Sequence, residues 1–182
     1  MEIIDIFEIV DDALYSVRYN HEFQNEFYRL FENWTDASYL YEFFESHADD
    51  LSDPFWGGIK IAEAVKKTRK QALAFEEKLI EIAELGKEGL DTNLSGFFQP
   101  LVKGKFDMML ERDKAKGVHQ KSWLRIYAIR IGLNLFLVSG GAIKLTKTMN
   151  ERQHFKDELR KLELTRNYIM SSGEDIFSFC KV

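Results

Sequence analysis

Residues 123–146, WLRIYAIRIGLNLFLVSGGAIKLT, decide the fold. Two runs rich in β-branched and aromatic residues, 123–131 and 134–139, flank the tight Gly132-Leu133 connection, and runs joined so closely form an antiparallel hairpin. The Gly140-Gly141 pair reads as a bend, after which AIKLT, from Ala142, forms a third strand. Alternate side chains of a strand share a face. Arg125 and Tyr127 therefore point one way and Arg130 the other, with Lys144 and Lys147 on the basic run that follows.

Downstream, Thr148-Met149-Asn150-Glu151 fits a capping box, and Phe155, Leu159, Leu162 and Ile169 supply the apolar stripe of a helix that Ser171-Ser172-Gly173 ends. Upstream, the first twenty residues read as a second hairpin, strands near 2–9 and 14–19, turning at Val10-Asp11-Asp12-Ala13. From Phe23 the apolar period lengthens to that of a helix through Phe27, Leu30, Phe31 and Trp34. Asp36 caps a second helix carrying Leu40, Phe43, Phe44, His47 and Leu51, which Asp53-Pro54 stops. After Trp56-Gly57-Gly58, a stripe from Ile61 to Ile82 predicts one long helix closed by Gly86. Leu90, Leu94, Phe97, Phe98 and Leu101 suggest a shorter helix ended by Pro100, and Lys103 to Gln120 reads as a polar, basic and poorly ordered stretch. This order predicts one α+β domain over 1–182, an antiparallel sheet with N- and C-terminal hairpins and amphipathic helices packed on it. Its parts are an acidic strand–helix region over about 1–60, a long helix over about 59–85 and a basic hairpin with C-terminal helix over about 103–172.

The charge divides along the same lines. Residues 1–60 hold 14 acids and 3 bases, 61–100 hold 7 and 6, and 101–182 hold 9 and 16, so a net charge of -5 conceals a basic C-terminal half. The start, Met1-Glu2-Ile3-Ile4-Asp5, lacks the basic run of a secretory signal, and one cysteine in 182 residues points to a reducing compartment, so a cytoplasmic location is expected. The longest apolar run, Ile131 to Ile143, falls short of the roughly 20 residues a membrane span needs.

Cofactor chemistry finds little footing. Glu151 and His154 form a single Glu-x-x-His, whereas di-iron bundles need a second copy and further glutamates, so no metal is expected. Ser139-Gly140-Gly141 lacks the spacing of a phosphate loop and precedes a strand, so no nucleotide cofactor is expected either. The basic region offers more. Lys114, Lys116, Lys121 and Trp123 beside Arg125 and Tyr127 combine cations for phosphate with rings for stacking, the means by which single-stranded RNA is held. The same charges also read as a solvated surface facing the acidic half of the molecule.

Residues 122–170 resemble the C-terminal half of RelE/ParE-type toxins, particularly the HigB-like, phage-derived branch. The likeness lies in the WLRIYAIR strand, the hairpin to a second apolar strand, the Gly-Gly pair before IKLTK and the charged helix after it. That fold has an N-terminal strand, a helical pair, three antiparallel strands and a helix. The resemblance implies a bacterial or phage-derived protein that cleaves mRNA on the ribosome without a metal, as an endoribonuclease restrained by an antitoxin. It assigns the proton-transfer and phosphate-binding roles to Arg125, Arg130, Tyr127, Lys144, Lys147 and His154. About 120 residues precede the matching hairpin, more than those compact toxins carry. A non-enzymatic RNA- or protein-binding module of a phage or mobile element is the alternative.

Overall fold

The N-terminal hairpin forms where turn chemistry places it. In the computed structural model, which describes residues 1–101, 110–119, 121–146 and 153–172, β1 (Ile3–Val10) and β2 (Leu14–Tyr19) pair antiparallel. Asp12 sits between them at φ 52°, a left-handed conformation that aspartate tolerates. Asn25 and Asp36 then cap α1 (Glu26–Thr35) and α2 (Ala37–Ser46), each accepting a backbone N–H with its side chain. A single turn, α3 (Ala48–Leu51), and a 3-10 turn at Pro54–Trp56 lead to α4 (Ile61–Lys87).

The sheet is mixed, which corrects the antiparallel expectation. Its order is β1-β2-β6-β5-β4-β3, and β2 lies parallel to β6 (Phe136–Ile143), with Leu14 opposite Phe136 and Ser16 opposite Val138. The expected C-terminal hairpin is β5 (Leu124–Arg130) with β6, antiparallel. Gly140-Gly141 is not a bend, and Ala142 does not start a new strand: both glycines lie inside β6. The register shifts opposite Tyr127 and Ala128, leaving Ser139 as the extra residue of a bulge. The glycines serve close packing. A Cβ on Gly141 would stand 2.6 Å from Arg125 O and 2.8 Å from Leu30 Cδ1, and one on Gly140 would strike the Glu158 carboxylate.

Two further expectations change. The short helix shrinks to α5 (Leu94–Phe97), followed by the two-residue edge strand β3 (Gln99–Pro100), a position where proline leaves no unmet ladder bond. Within the stretch read as poorly ordered, Glu111–Lys116 forms strand β4, paired with β3 and β5. Its alternation was hidden because an acid occupies the inward position: buried Asp113 takes Arg130 as its ion partner at 2.6 Å. The capping box at 148–151 lies outside the described residues; α6 is Gln153–Ser172.

Both faces of the sheet are covered. On one, Leu14, Leu124, Ile126, Ala128 and Val138 pack with Phe27, Phe31 and Trp34 of α1, Leu40 and Phe44 of α2 and Phe75 and Leu79 of α4. On the other, Tyr15, Val17, Tyr19, Tyr127, Ile129 and Leu137 pack with Phe155, Leu162 and Ile169 of α6. Central strands buried on both faces read as unbroken apolar runs, which is why 123–131 and 134–143 look as they do. Gly141→Ala is expected to cost about 2 kcal/mol and lower the melting temperature by roughly 4–8 °C, since the backbone at Arg125 cannot yield cheaply. Gly96→Ala, which meets nothing within 4 Å, serves as the control, and equal melting of the two variants would contradict this packing.

Candidate functional site

Two cavities open along the C-terminal end of β6. The first, about 240 Å³, is walled by Asp53, Phe55, Trp56, Arg125 and Lys144 with Leu145 and Thr146. The chain reaches it from two sides. Asp53 accepts the Phe55 backbone N–H and holds the 3-10 turn, while the Trp56 indole donates to Leu145 O at 3.0 Å. Arg125 donates to Ser122 O and Leu124 O at 2.8 and 2.7 Å and forms no ion pair with a carboxylate among the described residues. Burial pulls its pKa below the ordinary arginine value, with Tyr127 opposing. Lys116 lies directly opposite Arg125 across the strands, a like-charge pairing that is unfavourable unless an anion relieves it. Lys121 adds a cation over the Phe55 ring, 5.2 Å from its centroid, and Phe55 is 54% exposed.

The structure separates the other sequence-selected residues. Arg130 is buried at the far end of β5, bonded to Asp113 and to Ser95 Oγ, and lines neither of these two cavities. Tyr127 is buried under α6, and burial raises its pKa far above the ordinary tyrosine value. Trp123 is fully buried, donates to Thr68 Oγ1 at 2.9 Å and packs on Phe44 and Trp56, which makes it core and leaves Phe55 as the exposed ring. Lys114 is half-buried on β4, opposite Tyr127, and Lys147 lies outside the described residues. Lys67 of α4 was not foreseen: its ammonium stands 4.4 Å from the Trp123 ring centroid, and burial, then Lys121, lowers its pKa.

His154 belongs to the second cavity, about 230 Å³ between α1, α2 and α6. Its ring meets that of His47 edge-on at 5.3 Å. Behind them, where β2 and β6 run on past their last registered pair, four charges interlock. Arg29 clasps Glu26 with two bonds of 2.9 and 2.7 Å, and Lys161 donates to Glu26 Oε2 and Glu158 Oε1, both at 3.0 Å. Glu158 Oε2 is buried and has no hydrogen-bond partner among the described residues. Desolvation raises the Glu158 pKa from 4.5 to about 7, with Glu26 adding to the rise and Lys161 opposing it. Among the described residues no group of three or more His, Cys, Asp or Glu is placed to hold a metal, and no helix is long and apolar enough to cross a membrane.

These four charges carried only a weak sequence signal, because Glu26 and Arg29 look like an ordinary surface i,i+3 pair and Glu158 and Lys161 like another. Comparison of the chain with protein-family models, curated proteins and solved structures finds no match.

A carboxyl with a raised folded pKa retains a proton that the unfolded chain has lost. Stability therefore falls as pH rises from about 4.5 through about 7. Glu158→Gln, which cannot ionise, is expected to gain on the order of 3 kcal/mol relative to wild type between pH 5 and pH 8. Urea unfolding at the two pH values measures this, and a variant offset independent of pH would exclude the buried ionisation.

Proposed function

We propose that this chain is a RelE/ParE-like, toxin-type protein that engages single-stranded RNA at the cleft formed by Arg125, Lys144 and Phe55. The observation that carries the reading is Arg125, a largely desolvated guanidinium bonded to backbone carbonyls and to no carboxylate among the described residues. A phosphate supplies the missing anion. Lys116 and Lys121 flank it with further charge, and the exposed Phe55 ring offers a stacking platform of the kind unpaired bases use. The element order adds support, since β2, the α1–α2 pair, antiparallel β4, β5 and β6 and then α6 follow the succession of that toxin fold. Metal-independent cleavage of mRNA on the ribosome, under an antitoxin's control, is the activity that accompanies the reading. Its phosphate contacts fall to Arg125 and Lys144, with Tyr127 buried two residues along the same strand.

Affinity for a single-stranded oligonucleotide, followed by fluorescence anisotropy from low to physiological salt, tests the cleft. Each phosphate contact on a single strand contributes a salt slope of about -0.7, so Arg125→Ala/Lys144→Ala should flatten the log–log slope by about 1.4. Phe55→Ala should weaken binding roughly tenfold while leaving the slope unchanged. Identical affinity and slope for wild type and the double variant would remove the proposal.

A further inference from the structure

The cavity between α1, α2 and α6 differs in chemistry from the basic cleft beside it. Five of its twelve lining residues carry rings, Trp34, Tyr39, Phe43, His47 and His154, with the Phe43 and His47 planes stacked at 4.3 Å. Three polar groups in this lining have valence to spare. Asn33, half-buried on α1, makes no side-chain hydrogen bond among the described residues, and neither does the Tyr39 hydroxyl. His47 Nδ1 lies 2.8 Å from Phe43 O, and because a carbonyl only accepts, Nδ1 carries a proton and is engaged, which leaves Nε2 as the ring nitrogen that can meet a guest. Together they offer both donors and acceptors to a flat guest.

We infer that this cavity is a pocket for a single nucleobase, stacked among the aromatic walls and met along its hydrogen-bonding edge by Asn33, Tyr39 and His47. Its volume of about 230 Å³ lies below the range of drug-sized sites and suits one heterocycle. A phosphate is disfavoured on the Glu158 side of the lining, where that carboxyl stands and where Arg29 is already engaged by Glu26.

The placement along the strand indicates how the guest is held. Residues 141–143 of β6 line this cavity, and residues 144–146, which follow directly, line the basic cleft. At about 3.3 Å per residue the two centres lie roughly one to two nucleotides apart. A nucleotide can therefore set its base in the cavity and its phosphate at Arg125 and Lys144. The base pocket itself stands on its own geometry; only the choice of RNA over a free nucleotide as the source of the base rests on the RNA reading above.

Calorimetric titration with adenosine and cytidine 5′-monophosphates, with ribose 5-phosphate and with a single-stranded oligonucleotide separates these sources. Nucleotides should bind at least roughly tenfold more tightly than ribose 5-phosphate, and Asn33→Ala/Tyr39→Phe, with thermal unfolding as the fold check, should erase that difference. Ribose 5-phosphate binding as well as the nucleotides, or nucleotide affinity unchanged in the variant, would overturn the pocket. Oligonucleotide binding that depends on Arg125 and Lys144 but not on Asn33 or Tyr39 would likewise overturn it while leaving the RNA reading intact. Nucleotide binding lost with Asn33 and Tyr39, without any oligonucleotide binding, would uphold the pocket and end the RNA reading.

Discussion

The parallel contact between β2 and β6 is the constraint on which the remainder of the molecule rests. It consists of three registered pairs, yet it joins strands more than a hundred residues apart and closes the N-terminal hairpin onto the C-terminal meander. Past Ser16 and Val138 the two strands run on without further registered pairs. The N-terminus of α1 and the side of α6 come together there, with Phe27 N–H held by Ser16 Oγ and the Tyr19 hydroxyl donating to Ser139 O. Crevices beyond the carboxyl ends of parallel strands are where α/β proteins collect their polar side chains, and both cavities lie at that end of β6.

Polarity inside that crevice is arranged at some expense to stability. Four charges of alternating sign, Arg29, Glu26, Lys161 and Glu158, are largely removed from water, and a buried ionic cluster of this kind gives little net stabilisation compared with apolar packing. Burial within this cluster pushes the Glu158 carboxyl pKa up, so part of its charge is held at a cost. The Gly140–Gly141 step permits it, because any side chain there would displace the Glu158 carboxylate or the aromatic wall of α1.

Much of the framework was legible in residue pattern. The two hairpins, the helical stripes and the turn at Asp12 follow from local periodicity and turn chemistry, which need no knowledge of distant partners. The parallel pair was not legible, because a short apolar run states that it is buried without stating beside what. Gly140-Gly141 reads locally as punctuation, and only the presence of Leu30, Trp34 and Glu158 shows that it is a demand for space. β4 was hidden because Asp113 breaks the apolar alternation and is made tolerable by Arg130 from the next strand. Arg125 and Lys144 were legible as cations near one another. Trp123 and Phe55 were not separable, since sequence assigns both the same aromatic character and only packing decides that one is core and the other rim.

The wide separation of β2 from β6 also has a consequence in time. Chains are made from the N-terminus at roughly 5–20 residues per second, so a partner strand beginning at Phe136 arrives roughly 6 to 24 seconds after Leu14. Until then the acidic hairpin and α1–α3 exist without the strand that completes either cavity, and Asp53, Phe55 and Trp56 have no cations opposite them. A partially synthesised copy thus has the acidic half of the molecule and none of the assembled basic cleft. Both cavities therefore exist only once residues 136–146 have been made.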